Sequence, residues 1–356
     1  MTLRPLLQEA WRNLLTGTSR AALLTVLLSV LSAGLAALEV ISVQQISAAA
    51  RTYVSSAASV VTLTAPGRIS GVACDALDAL PGVRAAGALR PRTSPLTAIE
   101  LPSSPLPVTD ITGGVLQLLR ADHGSAEGVV LSREAADLLG VRSGGRLHTP
   151  QGGIPITGVY EYPSDGRDPG YGYAVLAPVT PAGAFDACWA DIRPQSKTTA
   201  LVMRTVLLPD GPSDDPPQLG QLNSTLGAAF DGAQRFHDRL TRFAALLALA
   251  LAAGIGFVSV RIRRLELASA LHAGVGKGAL GAMLAVETVA WTVPAAVLTA
   301  TTVTVLLAVG PPIDGTTGWI LGARVGFAAV VGPFLGGLLA LLRTSERQLF
   351  RYFRDR

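Results

Sequence analysis

Phe243–Val260 reads FAALLALALAAGIGFVSV, eighteen residues without a charge. A membrane span needs about 20 mostly apolar residues to cross about 30 Å of hydrocarbon. Ala21–Leu38, Ala279–Val309 and Val325–Leu342 have the same texture, and among the four segments only the third holds a charge, Glu287. About two hundred residues separate the first segment from the second, whereas the last three follow one another closely. The spacing predicts a membrane protein of four transmembrane α-helices, with one α+β extracytoplasmic domain inserted between helices 1 and 2.

The charges orient this layout. Residues 1–20, 261–280 and 343–356 together carry a net charge of +8, while residues 43–240 carry −3. Lys and Arg concentrate on the cytoplasmic flanks of spans, which predicts both termini and the 261–280 loop inside. The expected order is a cytoplasmic amphipathic N-terminal helix (1–20), spans at 21–42, 241–260, 279–309 and 319–342, and the extracytoplasmic domain at 43–240. A cytoplasmic loop (261–278), an outer turn (310–318) and a cytoplasmic tail (343–356) complete it. Leu3, Leu6, Leu7, Trp11, Leu14 and Leu15 recur at helical spacing between charges, the pattern of an interfacial helix. A cleaved signal peptide fits poorly, because Ala36-Ala37-Leu38-Glu39 lacks a small-x-small site. The high sequence pI therefore reflects topology, and nucleic acid is not an expected partner. Lysine occurs only at Lys197 and Lys277 against abundant arginine, the bias of a GC-rich genome; the expected location is a bacterial cell membrane, multi-pass.

Both cysteines, Cys74 and Cys188, lie in the inserted domain. Disulfides persist in oxidising space, so the pair is expected to be bonded, with two buried free thiols as the alternative. Within the domain, Val60–Thr64 reads as a strand, Gly71–Leu80 as a helix, 128–131 as a strand, and Arg133–Leu139 as a helix capped by Ser132 and closed by Gly140. Strands follow at Arg146–Thr149, Ile156–Tyr162 and Tyr171–Leu176, the last two joined by the hairpin-like turn 163–170. Residues 43–56 and 218–242 read as two stalk helices continuing the first and second spans.

No catalytic, cofactor or metal site is read from the chain. Gly274-Val275-Gly276-Lys277-Gly278 looks like a phosphate loop, yet Leu271 stands where its first glycine is required and Gly278 where Ser or Thr is required. His123, His148, His237 and His272 lack ligand spacing, and no HExxH or GxSxG occurs. Glu161, Asp165 and Asp168 crowd one loop without the spacing of a calcium loop. Glu287 either pairs with an arginine of the inner loop or marks the membrane interface, since an intramembrane carboxylate faces a partner or water.

Arg263-Arg264-Leu265-Glu266-Leu267-Ala268, followed by Gly274 and then Glu287 in the third span, resembles the permease family that includes FtsX, the macrolide exporter MacB and the lipoprotein-releasing permeases. The four-span layout and the texture of residues 128–162 resemble that family as well. The resemblance implies the permease subunit of an ABC transporter, without catalysis of its own. A separate ABC ATPase subunit, holding ATP and Mg, would dock on the inner loop. Residues 273–281 would form a short coupling helix there. Arg263, Arg264, Glu266, Gly274, Gly276 and Lys277 would serve the coupling, with Glu266 holding the loop through a charge pair. A second permease copy or homologous permease, membrane lipid and an extracytoplasmic partner are the other expected contacts. The output would be export of a peptide, lipid or drug, or mechanotransmission to an outer partner. The competing expectation is a membrane-anchored sensor or scaffold with no ATPase.

Overall fold

The computed structural model describes residues 12–13, 16–17, 20–123, 127–209 and 215–344. Most of the expected N-terminal helix and of the C-terminal tail therefore lies outside the described residues. In chain order, α1 (Ala21–Ser55) leads into β1 (Val60–Ser70), α2 (Gly71–Asp75), β2 (Val83–Pro91), β3 (Val108–Ile111), α3 (Gly113–Leu118) and β4 (Asp122–His123). Then come β5 (Val129–Ser132), α4 (Arg133–Leu139), β6 (Arg146–Thr149), β7 (Gly152–Tyr160), β8 (Val175–Pro178), β9 (Ala184–Ile192), α5 (Thr199–Arg204) and β10 (Gln218–Gln221). The chain ends with α6 (Gly232–Asp238), α7 (Ala244–Ile262), α8 (Arg264–His272), α9 (Lys277–Val309) and α10 (Gly315–Leu342). It divides into a helical unit, Met1–Ala49 with Gly232–Arg356, and a sheet unit, Ala50–Asp231.

Among the described residues, four helices of the helical unit are long and apolar enough to cross a membrane: α1, α7 with its preceding 3-10 turn, α9 and α10. Leu246, Leu247, Leu251 and Val258 of α7 remain exposed, as a lipid-facing surface requires. Its buried face is instead a stripe of small residues at four-residue intervals, Ala244, Ala248, Ala252 and Gly256, ending at Val260. Apolar surface gains nothing by leaving lipid, so spans associate through close packing of small residues. Here α7 and α10 do so. A Cβ on Gly332 would lie 2.7 Å from the Ala252 Cβ, and one on Gly256 or Gly336 would run into the Pro333 or Ala253 backbone. The Gly332-x-x-x-Gly336 motif thus serves internal packing. The hydroxyls of Ser32 of α1 and Thr299 of α9 lie 2.7 Å apart, so one donates to the other while the second donates to a carbonyl of its own helix.

The sheet unit is built on one mixed sheet in the order β10-β1-β9-β2-β3-β8-β5-β7-β4, with β6 on β7. Among the described residues, only the β3–β8 and β5–β7 pairs are parallel. Fully buried Leu63, Ile69 and Phe185 pack with the Cys74–Cys188 disulfide, which fixes α2 to β9. Another core gathers α4 against β5, β6, β7 and β8 through Leu131, Ala135, Leu147, Ile156 and Val175. Helix α4 starts and stops as its sequence predicts: the Ser132 hydroxyl accepts the Ala135 N–H, and Gly140 takes the left-handed cap at φ 67°.

Two expectations fail. Residues 218–242 do not form one helix: Gln218–Gln221 pairs with β1, and the helical segment begins only at Gly232. Leu219, Leu222 and Leu226, at helical spacing in the sequence, do not share a buried face, since Leu222 is buried and the other two are exposed. Nor do Ile156–Tyr162 and Tyr171–Leu176 form a hairpin. β8 pairs with β5 and β3, and β5 separates it from β7. Residues 161–174 leave the sheet because Pro163 and Pro169 donate no ladder hydrogen bond, and the tyrosines turn inward. The Tyr160 hydroxyl donates to the Tyr171 carbonyl at 2.7 Å, and Tyr171 meets Trp189 edge-on at 4.8 Å.

Candidate functional site

The loop joining α7 to α9 has a defined shape. Helix α7 ends at Arg263, whose N–H bonds the Val260 carbonyl, and α8 begins at once. Leu267 and Ala268 of α8 are buried, and Leu267 packs with Val260, Leu280, Met283 and Leu341. The short helix of this loop is therefore 264–272, and not the 273–281 expected. Gly274 explains the difference. At φ 88° it occupies the left-handed position after the helix, where its N–H bonds Leu271 and that of Val275 reaches back to Ala270. This is the doubly bonded C-terminal cap that glycine permits. Gly276 then precedes α9 in extended conformation at φ −68°, and Lys277 is the first residue of α9. His272, Ala273, Gly274, Gly276, Lys277 and Gly278 are all exposed.

Arg263 ties the loop to the third span. Its Nε and Nη2 form a fork on Glu266 of α8, at 3.0 and 2.6 Å. Its Nη1 donates to Glu287 Oε2 in α9 at 2.5 Å. The second Glu287 oxygen accepts from the Asn13 side chain at 2.8 Å. Arg263 and Glu287 are buried, while the Glu266 side chain is 45% exposed. Three nitrogens of one guanidinium thus serve two carboxylates, a geometry available to arginine and not to lysine. Of the two openings left for Glu287, the structure places it against the inner-loop arginine. Every oxygen of Glu287 is engaged, so the arrangement fastens helices rather than offering a free acid or base.

The remaining expected residues are dispersed. Arg264 is half-buried. Lys277 Nζ donates to the Leu342 carbonyl at the end of α10, at 3.2 Å. Cys74 and Cys188 are bonded in the sheet unit. In the acidic loop, Glu161 pairs with Arg133, Asp165 with Arg167, and Asp168 caps the Gly170 N–H.

Two contributors were missed in the sequence. Asn13 carried no signal beyond its place in an amphipathic stretch. Arg239, which precedes α7, forms a second buried pair with Glu39 of α1 at 3.0 Å, its guanidinium 3.5 Å above the Phe236 ring. One acid closing the first span and one base opening the second was the available signal.

No family model matches the chain, and no curated protein matches it. Solved structures similar to it include the periplasmic region of MacB from Actinobacillus actinomycetemcomitans, at 9% identity and a TM-score of 0.32, covering 41% of this chain and 80% of that one. The extracellular domain of the noncanonic ABC-type transporter YknZ from Gram-positive bacteria is similar at 10% identity and a TM-score of 0.30, covering 41% of this chain and 92% of that one.

Proposed function

We propose that this chain is the membrane-spanning, non-catalytic subunit of an ABC transporter of the MacB and FtsX type. In this reading the sheet unit is extracytoplasmic, both termini and the α7–α9 loop are cytoplasmic, and ATP with Mg is held by a separate ATPase. The observation that carries the reading is the grip of Arg263 on both Glu266 and Glu287. An ATPase pressing on the exposed Gly274–Gly278 end of the loop would move α8. Through the Arg263 network, α9 would follow. Lys277 and Arg264 meet the ATPase surface, Gly274 and Gly276 shape the turn, and the permease works as a dimer with a second copy or a homologous permease. The moving sheet unit then drives export of a peptide, lipid or drug, or acts on an outer partner.

The test is affinity capture of the tagged full chain from detergent, with identification of bound subunits and measurement of ATP turnover. Recovery of an ABC ATPase with the native chain, and loss of coupling in Gly274→Trp, is the expected result. Absence of any ATPase from the native capture, or unchanged association and turnover in Gly274→Trp, overturns the proposal.

A further inference from the structure

The sheet unit holds a cavity of about 430 Å³ that none of the preceding roles uses. Four arginines line it, Arg84, Arg120, Arg167 and Arg193, against two acids, Glu161 and Asp191. Both acids already pair with an arginine, although the buried Asp191 Oδ1 has no hydrogen-bond partner among the described residues. Asp191 takes Arg193 Nη2 at 2.6 Å, and Glu161 takes Arg133 at 2.8 Å. Arg167 is committed as well, to Asp165 and to the Ser55 carbonyl. Arg84 and Arg120 are exposed and form no ion pair with any described residue. Two uncompensated guanidiniums therefore share one recess.

Each of the two is brought there by a departure from regular backbone. Arg84 sits where the pairing of β2 with β9 slips, between Val83 and Ala85. Such a bulge re-aims a side chain that a regular strand would send to the opposite face. Arg120 follows α3 with φ 52°, its N–H bonded to Gln117 and that of Ala121 to Leu116. This is the left-handed helix cap at which glycine is the usual residue. An arginine in that place satisfies the backbone less well than glycine and adds a cation to the cavity. Leu118, Leu119 and Val60 add apolar lining to the recess.

From this geometry we infer that the sheet unit binds a small phosphate monoester carrying an apolar substituent. The planar donor forks of Arg84 and Arg120 match phosphate oxygens and the two negative charges of the ester. The substituent lies on Leu118 and Leu119. This inference concerns residues 54–193 alone and stands independently of any ATPase.

Calorimetric titration of the full chain in detergent with phenyl phosphate tests it, with phenol and inorganic phosphate as controls. Binding of phenyl phosphate is expected to be tighter than that of inorganic phosphate, with no binding of phenol. Arg84→Gln and Arg120→Gly are each expected to weaken the ester at least about tenfold, while Arg120→Gly raises the unfolding temperature because glycine suits the left-handed cap. Affinity lost in a more stable variant separates ligand binding from damage to the fold. Displacement of the ester by phosphatidic acid vesicles supports a lipid source of the same phosphate group, and indifference to them supports a soluble one. No binding of phenyl phosphate to the native chain, or native affinity retained in both variants, overturns the assignment.

Discussion

Arg263 and Glu287 meet at 2.5 Å, one at the end of α7 and the other about three turns into α9, both less than a tenth exposed. Removing one partner of a buried pair leaves the other charge unsatisfied, at about 3–5 kcal/mol, whereas replacing both with apolar residues is often neutral. Arg263→Leu is therefore expected to destabilise the helical unit by that amount, and Arg263→Leu with Glu287→Leu to recover most of it. Thermal unfolding in detergent across the double-mutant cycle measures the coupling. Additive losses would mean that the two side chains do not act as a pair.

The packing of α7 on α10 gives a prediction of opposite kind. A Cβ on Gly336 would run into the Ala253 carbonyl, whereas one on Gly254 meets nothing within 4 Å. Both glycines lie within helices. Gly336→Ala is expected to force the helices apart and to cost about 1–3 kcal/mol, as overpacking does. Gly254→Ala is expected to be neutral or to gain up to about 1 kcal/mol from helix propensity. Equal unfolding temperatures for the two variants would deny the close approach.

How much of this was legible in advance depended on the range of the interaction. The four spans were legible because length and lack of charge are local properties, and so were the ends of α4, where Ser132 and Gly140 act within one turn. Glu266 and Glu287 stood out as acids near arginines, and a bond from an unspecified inner-loop arginine to Glu287 was one of two open readings. The sheet was less legible. Strand β9, with Ala184 to Ile192, reads as a mixed run, and it is a central strand because β1 and β2 flank it from distant sequence. The hairpin expected across 163–170 failed for a related reason. Tyrosines at alternate positions fix which face they share, but not which strand lies beside them. Gly274 was noticed for the function that its motif resembles, when its positive φ shows what it does: it ends α8 and so displaces the expected helix.

The tyrosine cluster predicts a response to alkali. Burial pushes the phenols of Tyr160, Tyr162 and Tyr171 up, with Tyr171, also facing Asp168, reaching about 12. An unfolded tyrosine titrates near about 10. The folded sheet unit thus binds these protons more tightly than the unfolded chain, so their contribution to stability is complete below about pH 10 and declines as pH rises towards the folded value. Ultraviolet titration is expected to show tyrosinate from the cluster only as the unit unfolds, above pH 10. Tyr171→Phe is expected to flatten that decline. A phenolate signal at the ordinary tyrosine pKa in protein that stays folded would contradict the burial.

Cys74 and Cys188 are both fully buried and are bonded across 114 residues of sequence. A crosslink over so long a loop removes freedom chiefly from the unfolded chain, and losing a native one typically costs about 2–5 kcal/mol. Reductant is expected to lower the unfolding temperature of the native chain and to leave that of Cys74→Ser with Cys188→Ser unchanged, the latter already being lowered. The same bond tests the proposed sidedness, because disulfides persist in oxidising compartments and are rare in the cytosol. Cells quenched with acid and then denatured in a maleimide reagent are expected to yield this chain without label, and with two labels after prior reduction. Two labelled thiols without reduction would place the sheet unit in a reducing compartment, and the cytoplasmic assignment of the α7–α9 loop, with the motor proposed to dock there, would have to be reversed.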